Sequence, residues 1–176
     1  MTAKEDIKFV LEQLNCPRKL NLLYRASEHE FSIPKFHQLC DSTCKTLTLF
    51  KIEYGRLIGG YTPVSWANKY GRDRDNKSFL MNISLRERLE HKSHGESAIY
   101  CKPECGPSFG GFFEQRDLKV RQQGGVLFCT TNFPSAYNWK QFFKPGQESW
   151  RFLTGVERGQ ECRILDMEVY EVVPRQ

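Results

Sequence analysis

"KTLTLFKIEYGRLIGGYT" occupies residues 45–62. Its first half alternates, with Leu47, Leu49 and Lys51 on one side of an extended chain and Thr46, Thr48, Phe50 and Ile52 on the other. A period of two marks a strand, because successive side chains point to opposite faces. Tyr54, Gly55 and Arg56 supply a tight turn and residues 57–62 return, so the stretch predicts an antiparallel hairpin. Gly59 and Gly60 sit inside the returning strand, where glycine signals a bulge or a close approach of another group to the backbone.

Upstream of the hairpin, residues 21–27 (NLLYRAS) predict a short strand. In 32–41 (SIPKFHQLCD), Ser32 can cap a helix and Pro34 suits its first turn, with Ile33, Phe36, Leu39 and Cys40 on one face. Residues 2–15 predict an amphipathic helix: Thr2 and Glu5 have capping-box spacing, and Ile7, Val10, Leu11 and Leu14 fall on one face. Pro17 stops it. The chain therefore divides into an N-terminal helix, residues 1–17, and a β-rich domain, residues 18–176. Downstream of the hairpin, residues 78–84, 97–101, 116–120, 125–131, 151–155 and 163–173 predict strands. Residues 67–77 read as a charged loop, 85–96 as a short helix or an exposed connection, and 135–147 as a packed loop or helical turn. In the last strand, strict alternation sets Ile164, Asp166, Glu168, Tyr170 and Val172 against Leu165, Met167, Val169, Glu171 and Val173. The pattern predicts an α+β, β-rich fold, a two-sheet antiparallel β-sandwich with flanking helices.

A chain of 176 residues suits one domain with a real core, and 39% hydrophobic with 13% aromatic residues excludes a disordered chain. No apolar run approaches the roughly 20 residues that cross a bilayer, so no membrane insertion is expected. The first residues carry acids and lysines where a secretory signal would be apolar, which points to a cytoplasmic protein. The formal charge of +5 is scattered, without a basic run interleaved with aromatics, so nucleic acid is not an expected partner. Seven cysteines, an odd number, read as mostly buried apolar thiols in a reducing compartment.

The glycine-rich stretch CGPSFGGFFEQRDLKV (105–120) invites a phosphate-binding reading. A phosphate loop needs a Lys after its last glycine and a following helix; here Phe112 follows Gly111 and the continuation is strand-like. The alternative is a backbone bend, with Gly110 and Gly111 passing closely over an aromatic such as Phe109. Gly106, Phe109, Gly110, Gly111, Phe112 and Phe113 are then candidate interaction residues, the paired Phe112 and Phe113 being interface or core. No Gly-x-Ser-x-Gly elbow is present, so no catalytic residue is assigned. His37 and Cys40 lie one helical turn apart, a spacing open to Cys–His chemistry but more common in plain packing. Cys40, Cys44, Cys101 and Cys105 form two Cys-x3-Cys pairs that could close a tetrahedral zinc site. Zinc knuckles ordinarily use Cys-x2-Cys, so no cofactor is expected and zinc stays an alternative.

Taken in order, the blocks LLYRASEHEFSIPKFHQLCDSTCKTLTLFKIEYGRLIGGYTPVSW, SFLMNIS, AIYC, GPSFGG, DLKV and ILDMEVYEV resemble a TLDc domain over residues 20 to 173. The resemblance implies a two-sheet β-sandwich with flanking helices, a role in resistance to oxidative stress, and binding to the vacuolar proton ATPase. It brings no accepted catalytic mechanism, which agrees with the absence of an active-site motif. The chain departs from the family where FFEQR (112–116) replaces a short Gly-His-Asp-type link, and in Cys44 and Cys105. The expectation is a non-enzymatic protein-interaction module that uses the glycine loop, the hairpin turn and the N-terminal helix. The alternatives are a structural subunit of a cytoskeletal or ciliary assembly, and a thiol-redox or zinc-binding protein.

Overall fold

The computed structural model describes residues 4–67, 75, 77–91, 98–111, 116–133, 136–138 and 147–175. Its helices are α1 (Lys4–Gln13), α2 (Ile33–Cys40) and α3 (Gln147–Thr154). Its strands are β1 (Lys19–Arg25), β2 (Thr46–Ile52), β3 (Leu57–Thr62), β4 (Phe79–Asn82), β5 (Glu87–His91), β6 (Ile99–Tyr100), β7 (Ser108–Phe109), β8 (Lys119–Gln123), β9 (Val126–Thr130), β10 (Tyr137–Asn138) and β11 (Glu161–Val173). Among the described residues, nine strands form one antiparallel sheet, ordered β10-β5-β4-β3-β2-β11-β9-β8 with β1 also paired to β11. Strands β6 and β7 form a second sheet, joined to β8 through bridges between Phe109 and Leu118 and between Cys105 and Arg121. The fold is thus the α+β, β-rich architecture with two antiparallel sheets, very unequal in size.

β11 organises the large sheet. One of its edges pairs with β2, from Ile164 to Glu171. The other pairs first with β9, over Glu161 to Ile164, and then with β1, over Glu168 to Val173. The register against β2 shifts between Ile164 and Asp166. Cys162 and Ile164 face the larger core, Leu165 is exposed, and Met167 and Val169 return to the same core. The expected strict alternation is therefore wrong at Leu165: an inserted residue reverses the phase, as a bulge does.

The hairpin follows its sequence. β2 and β3 pair without a register shift, and Tyr54, at φ 62°, with Gly55 makes the turn. Phe50 and Ile52 enter the larger core while Leu47 and Leu49 enter a smaller one on the opposite face. α1 covers that face through Val10, beside Leu47, Phe79, Met81 and Val172. Thr2, its expected cap, lies outside the described residues. α2 begins where expected, with Ser32 Oγ accepting from Lys35 N at 3.2 Å, and it buries Ile33, Phe36 and Cys40.

Three segments differ from expectation. Within 85–96, residues 87–91 are strand β5 rather than a helix or a connection. Arg86, at φ 56°, turns the chain back from β4, and Leu89 is buried as a single inward apolar residue among charges. Residues 151–155, expected as a strand, belong to α3 and its end. Phe152 and Leu153 are both buried, which adjacent residues of a strand cannot be on one face but adjacent residues of a helix can. The Phe152 carbonyl accepts from Arg56 Nη1 at 2.8 Å, which fastens α3 to the hairpin. Tyr137–Asn138, inside the expected loop 135–147, add an edge strand to β5.

The bulge yields a discriminating expectation. Leu165→Ser should change unfolding free energy by no more than about 0.5 kcal/mol. Ile164→Ser should cost about 3 kcal/mol or more, by loss of core volume and burial of a hydroxyl. Equal costs in urea unfolding would restore strict alternation.

Candidate functional site

The glycine loop is built into the interior. Phe109, at the end of β7, is fully buried. Its ring lies where a side chain on Gly60 would be: a Cβ added to Gly60 overlaps the Phe109 ring. The Gly59–Gly60 pair thus marks a close approach, not a bulge. The Trp66 ring meets Phe109 edge-on, with centroids 5.5 Å apart at 85°, and Trp66 Nε1 donates to Thr46 Oγ1 at 2.9 Å. Phe109 N donates to Leu118 O at 2.8 Å, and Leu118 N returns a bond to Phe109 O at 3.1 Å.

Gly110, at φ 73°, has a second reason to be glycine: an added Cβ collides with the Asp117 carboxylate. That carboxylate is fully buried and accepts from Ala136 N at 2.7 Å. Gly110 N and Tyr137 Oη both donate to Ala98 O, at 2.9 and 2.7 Å. Burial and the Asp117 charge push the Tyr137 phenol well above its ordinary range. A Cβ on Gly106 would lie 2.7 Å from Val120 Cγ1. Gly106, Phe109, Gly110 and Gly111 are all buried, so the described part of the loop faces inward. Phe112 and Phe113 lie outside the described residues. Asp117 and Arg116, whose guanidinium sits 3.5 Å over the Tyr100 ring, are the residues that sequence reading passed over. An Arg-Asp pair at a strand start looks like a solvated pair, and only the tertiary fold buries it.

His37 and the five buried thiols are occupied in packing. His37 Nδ1 lies 2.8 Å from Asp41 Oδ1, and Nε2 lies 3.0 and 2.9 Å from the carbonyl oxygens of Lys102 and Cys105. The imidazole therefore ties α2 to the segment before β7. Burial and the Asp41 charge push the Cys40 thiol up to about 12, away from the thiolate that a nucleophile needs. Burial also pushes the Cys105 thiol up. Cys44 is exposed, whereas Cys40, Cys101 and Cys105 are buried. Among the described residues no group of three or more His, Cys, Asp or Glu is gathered closely enough to hold a metal ion. Cys129 and Cys162 oppose each other across β9 and β11, both fully buried. The hydrogen bond to Cys162 and burial push the Cys129 thiol up.

A different feature is open to solvent. A groove of about 350 Å³ lies where the β2–β3 turn, α1, the β4–β5 turn and the β11 bulge meet. Asp6, Lys51, Arg56, Ser84, Leu165 and Asp166 are among its lining residues. Leu165 is exposed within it; Tyr54, Leu85 and Ile7 are exposed next in sequence to Gly55, Ser84 and Asp6, which line it. Tyr54 is 73% exposed, the largest value among the exposed large hydrophobic residues described. Arg86 pairs with Glu5 at 2.9 Å, holding α1 against the β4–β5 turn.

A family model described as the TLDc domain matches residues 2–173. No curated protein matches the chain. No helix among the described residues is long and apolar enough to cross a membrane.

The burial of the thiols is measurable. With Ellman's reagent at pH 8, Cys16 and Cys44 should react fast, and the other five only after unfolding, with or without a chelator. Fast reaction of Cys40 would contradict the packing described.

Proposed function

Because the chain belongs to the TLDc domain family, we propose that it acts as a non-enzymatic protein-interaction module. The vacuolar proton ATPase is its first candidate partner, and resistance to oxidative stress the setting. One observation carries this reading. His37, Cys40, Cys101 and Cys105 are engaged in packing, while Leu165 is exposed in one groove and Tyr54, Leu85 and Ile7 are exposed next in sequence to residues that line it. Exposed aromatic and aliphatic side chains beside a concave surface suit a protein interface. The hairpin turn and the N-terminal helix contribute to that face. A permanent place in a cytoskeletal or ciliary assembly would use the same face.

The test is binding of the purified chain to detergent-solubilised vacuolar ATPase by co-sedimentation. Tyr54→Ala combined with Leu165→Ser should weaken binding by about tenfold or more, as loss of two interface anchors does, with an unchanged melting temperature. Binding that ignores this double substitution would remove the hairpin face from the interface. Sedimentation with axonemes or cytoskeleton, and none with the ATPase, would move the module to the second setting.

A further inference from the structure

A second groove, of about 450 Å³, opens at the other end of the hairpin, beneath the C-terminal end of α1. Five neighbouring strands, β5, β4, β3, β2 and β11, border it. Lys45 precedes β2, Lys77 stands two residues before β4, and Arg175 two residues after β11, so three cations converge on one end of the sheet. Its floor is apolar, made by Leu14, Phe79 and Val172, and no carboxylate is among its described lining residues. Several cations elsewhere on the surface are matched, among them Arg25 with Glu168, Arg86 with Glu5 and Lys102 with Glu104, and others such as Lys19 and Lys51 are not matched among the described residues; what sets this groove apart is that its three unmatched cations line one concavity. Among the described residues, Lys45, Lys77 and Arg175 have no carboxylate within ion-pair distance. The Asp75 carboxylate, whose charge reaches Tyr61 at the edge of the groove, is held by the backbone N–H groups of Lys77 and Ser78 at 2.8 and 2.6 Å rather than by a cation of the rim. Arg88, a fourth lining cation, is already committed, pairing with Glu90 at 2.6 Å and donating to Gln13 O at 2.9 Å.

We propose that this groove docks an acidic segment of a partner polypeptide, one in which carboxylates flank a bulky apolar residue. The inference rests on the reading of the chain as an interaction module and adds a second surface to it. Charge complementarity selects an anion, because an unmatched cationic rim around an apolar floor attracts carboxylates and excludes basic partners. The shape selects a polypeptide. A single-stranded nucleic acid would need free aromatic faces to stack on. Here Tyr61 and Phe79 stack on each other at 5.2 Å, and the Arg88 guanidinium lies 3.8 Å over the Phe79 ring. A membrane would need protruding apolar groups. Here the apolar atoms form the floor and the charges the rim.

The experiment uses a fluorescein-labelled peptide, Glu-Asp-Leu-Glu-Asp, followed by anisotropy with the whole chain. Saturable binding that weakens with added salt is expected. Lys77→Glu with Arg175→Glu, both exposed and without side-chain partners, should reduce affinity by about tenfold or more at an unchanged melting temperature. Replacing the peptide's Leu by Gly should also weaken it. Equal binding by the double variant, or by the Lys-Lys-Leu-Lys-Lys peptide, overturns the proposal. So does absence of saturable binding, or preferential capture of phosphatidylserine vesicles or a single-stranded oligonucleotide. If the double variant loses no affinity for the peptide while Tyr54→Ala with Leu165→Ser still loses the larger partner, the groove fails and the module stands.

Discussion

Phe109 occupies the volume that a side chain on Gly60 would fill, and the small sheet is held to the large one through that contact. Burying a phenylalanine contributes about 3 kcal/mol. The position also sets geometry, since Trp66 packs against the same ring and is fixed in turn by its bond to Thr46 at the start of β2. The hairpin, the glycine loop and the segment after β3 are thus parts of one packing unit. Gly110 extends it by admitting the Asp117 carboxylate, which holds Ala136 next to β10. A loop that looks suited to phosphate is instead a backbone that approaches its own core closely.

The ends of the domain are closed by a different chemistry. Asp166 accepts from Ser27 N and Ser27 Oγ, each at 3.1 Å, and Glu168 accepts from Arg25 Nε at 2.9 Å. Asn21 Nδ2 donates to Glu171 at 2.8 Å. The acids that alternate along β11 therefore face the polar residues of β1 and the turn after it. Tyr170 Oη donates to Glu168 at 2.8 Å, and burial with that bond pushes the Tyr170 phenol up to about 12. These contacts explain why a strand so rich in acids sits at the centre of a sheet.

Much of this was legible in the sequence because it is local. The alternation of 46–52, the glycine pair that follows it and the Ser32–Pro34 helix start each carry their own physical signature. What was missed depends on partners remote in sequence. β5 has one inward leucine among charges and becomes a strand only beside β4. α3 is fixed by Phe152 and Leu153 entering a core that other strands create. The bulge at Leu165 appears only when β2 sets the register. At the candidate sites, Cys-x3-Cys spacing suggested a ligand set, but Cys44 faces solvent while its three companions are buried. Neither groove has a local motif, since each is assembled from the ends of several elements.

The central claim is that the glycine loop is a packing device, and a double-mutant cycle tests it directly. Gly60→Ala and Phe109→Leu are measured singly and together by urea unfolding. If the Phe109 ring fills the space above Gly60, the smaller leucine relieves the added methyl, and the double variant is less destabilised than the sum by about 1 kcal/mol or more. Additive costs would mean that the two residues do not share that space, and the account of the loop would fall.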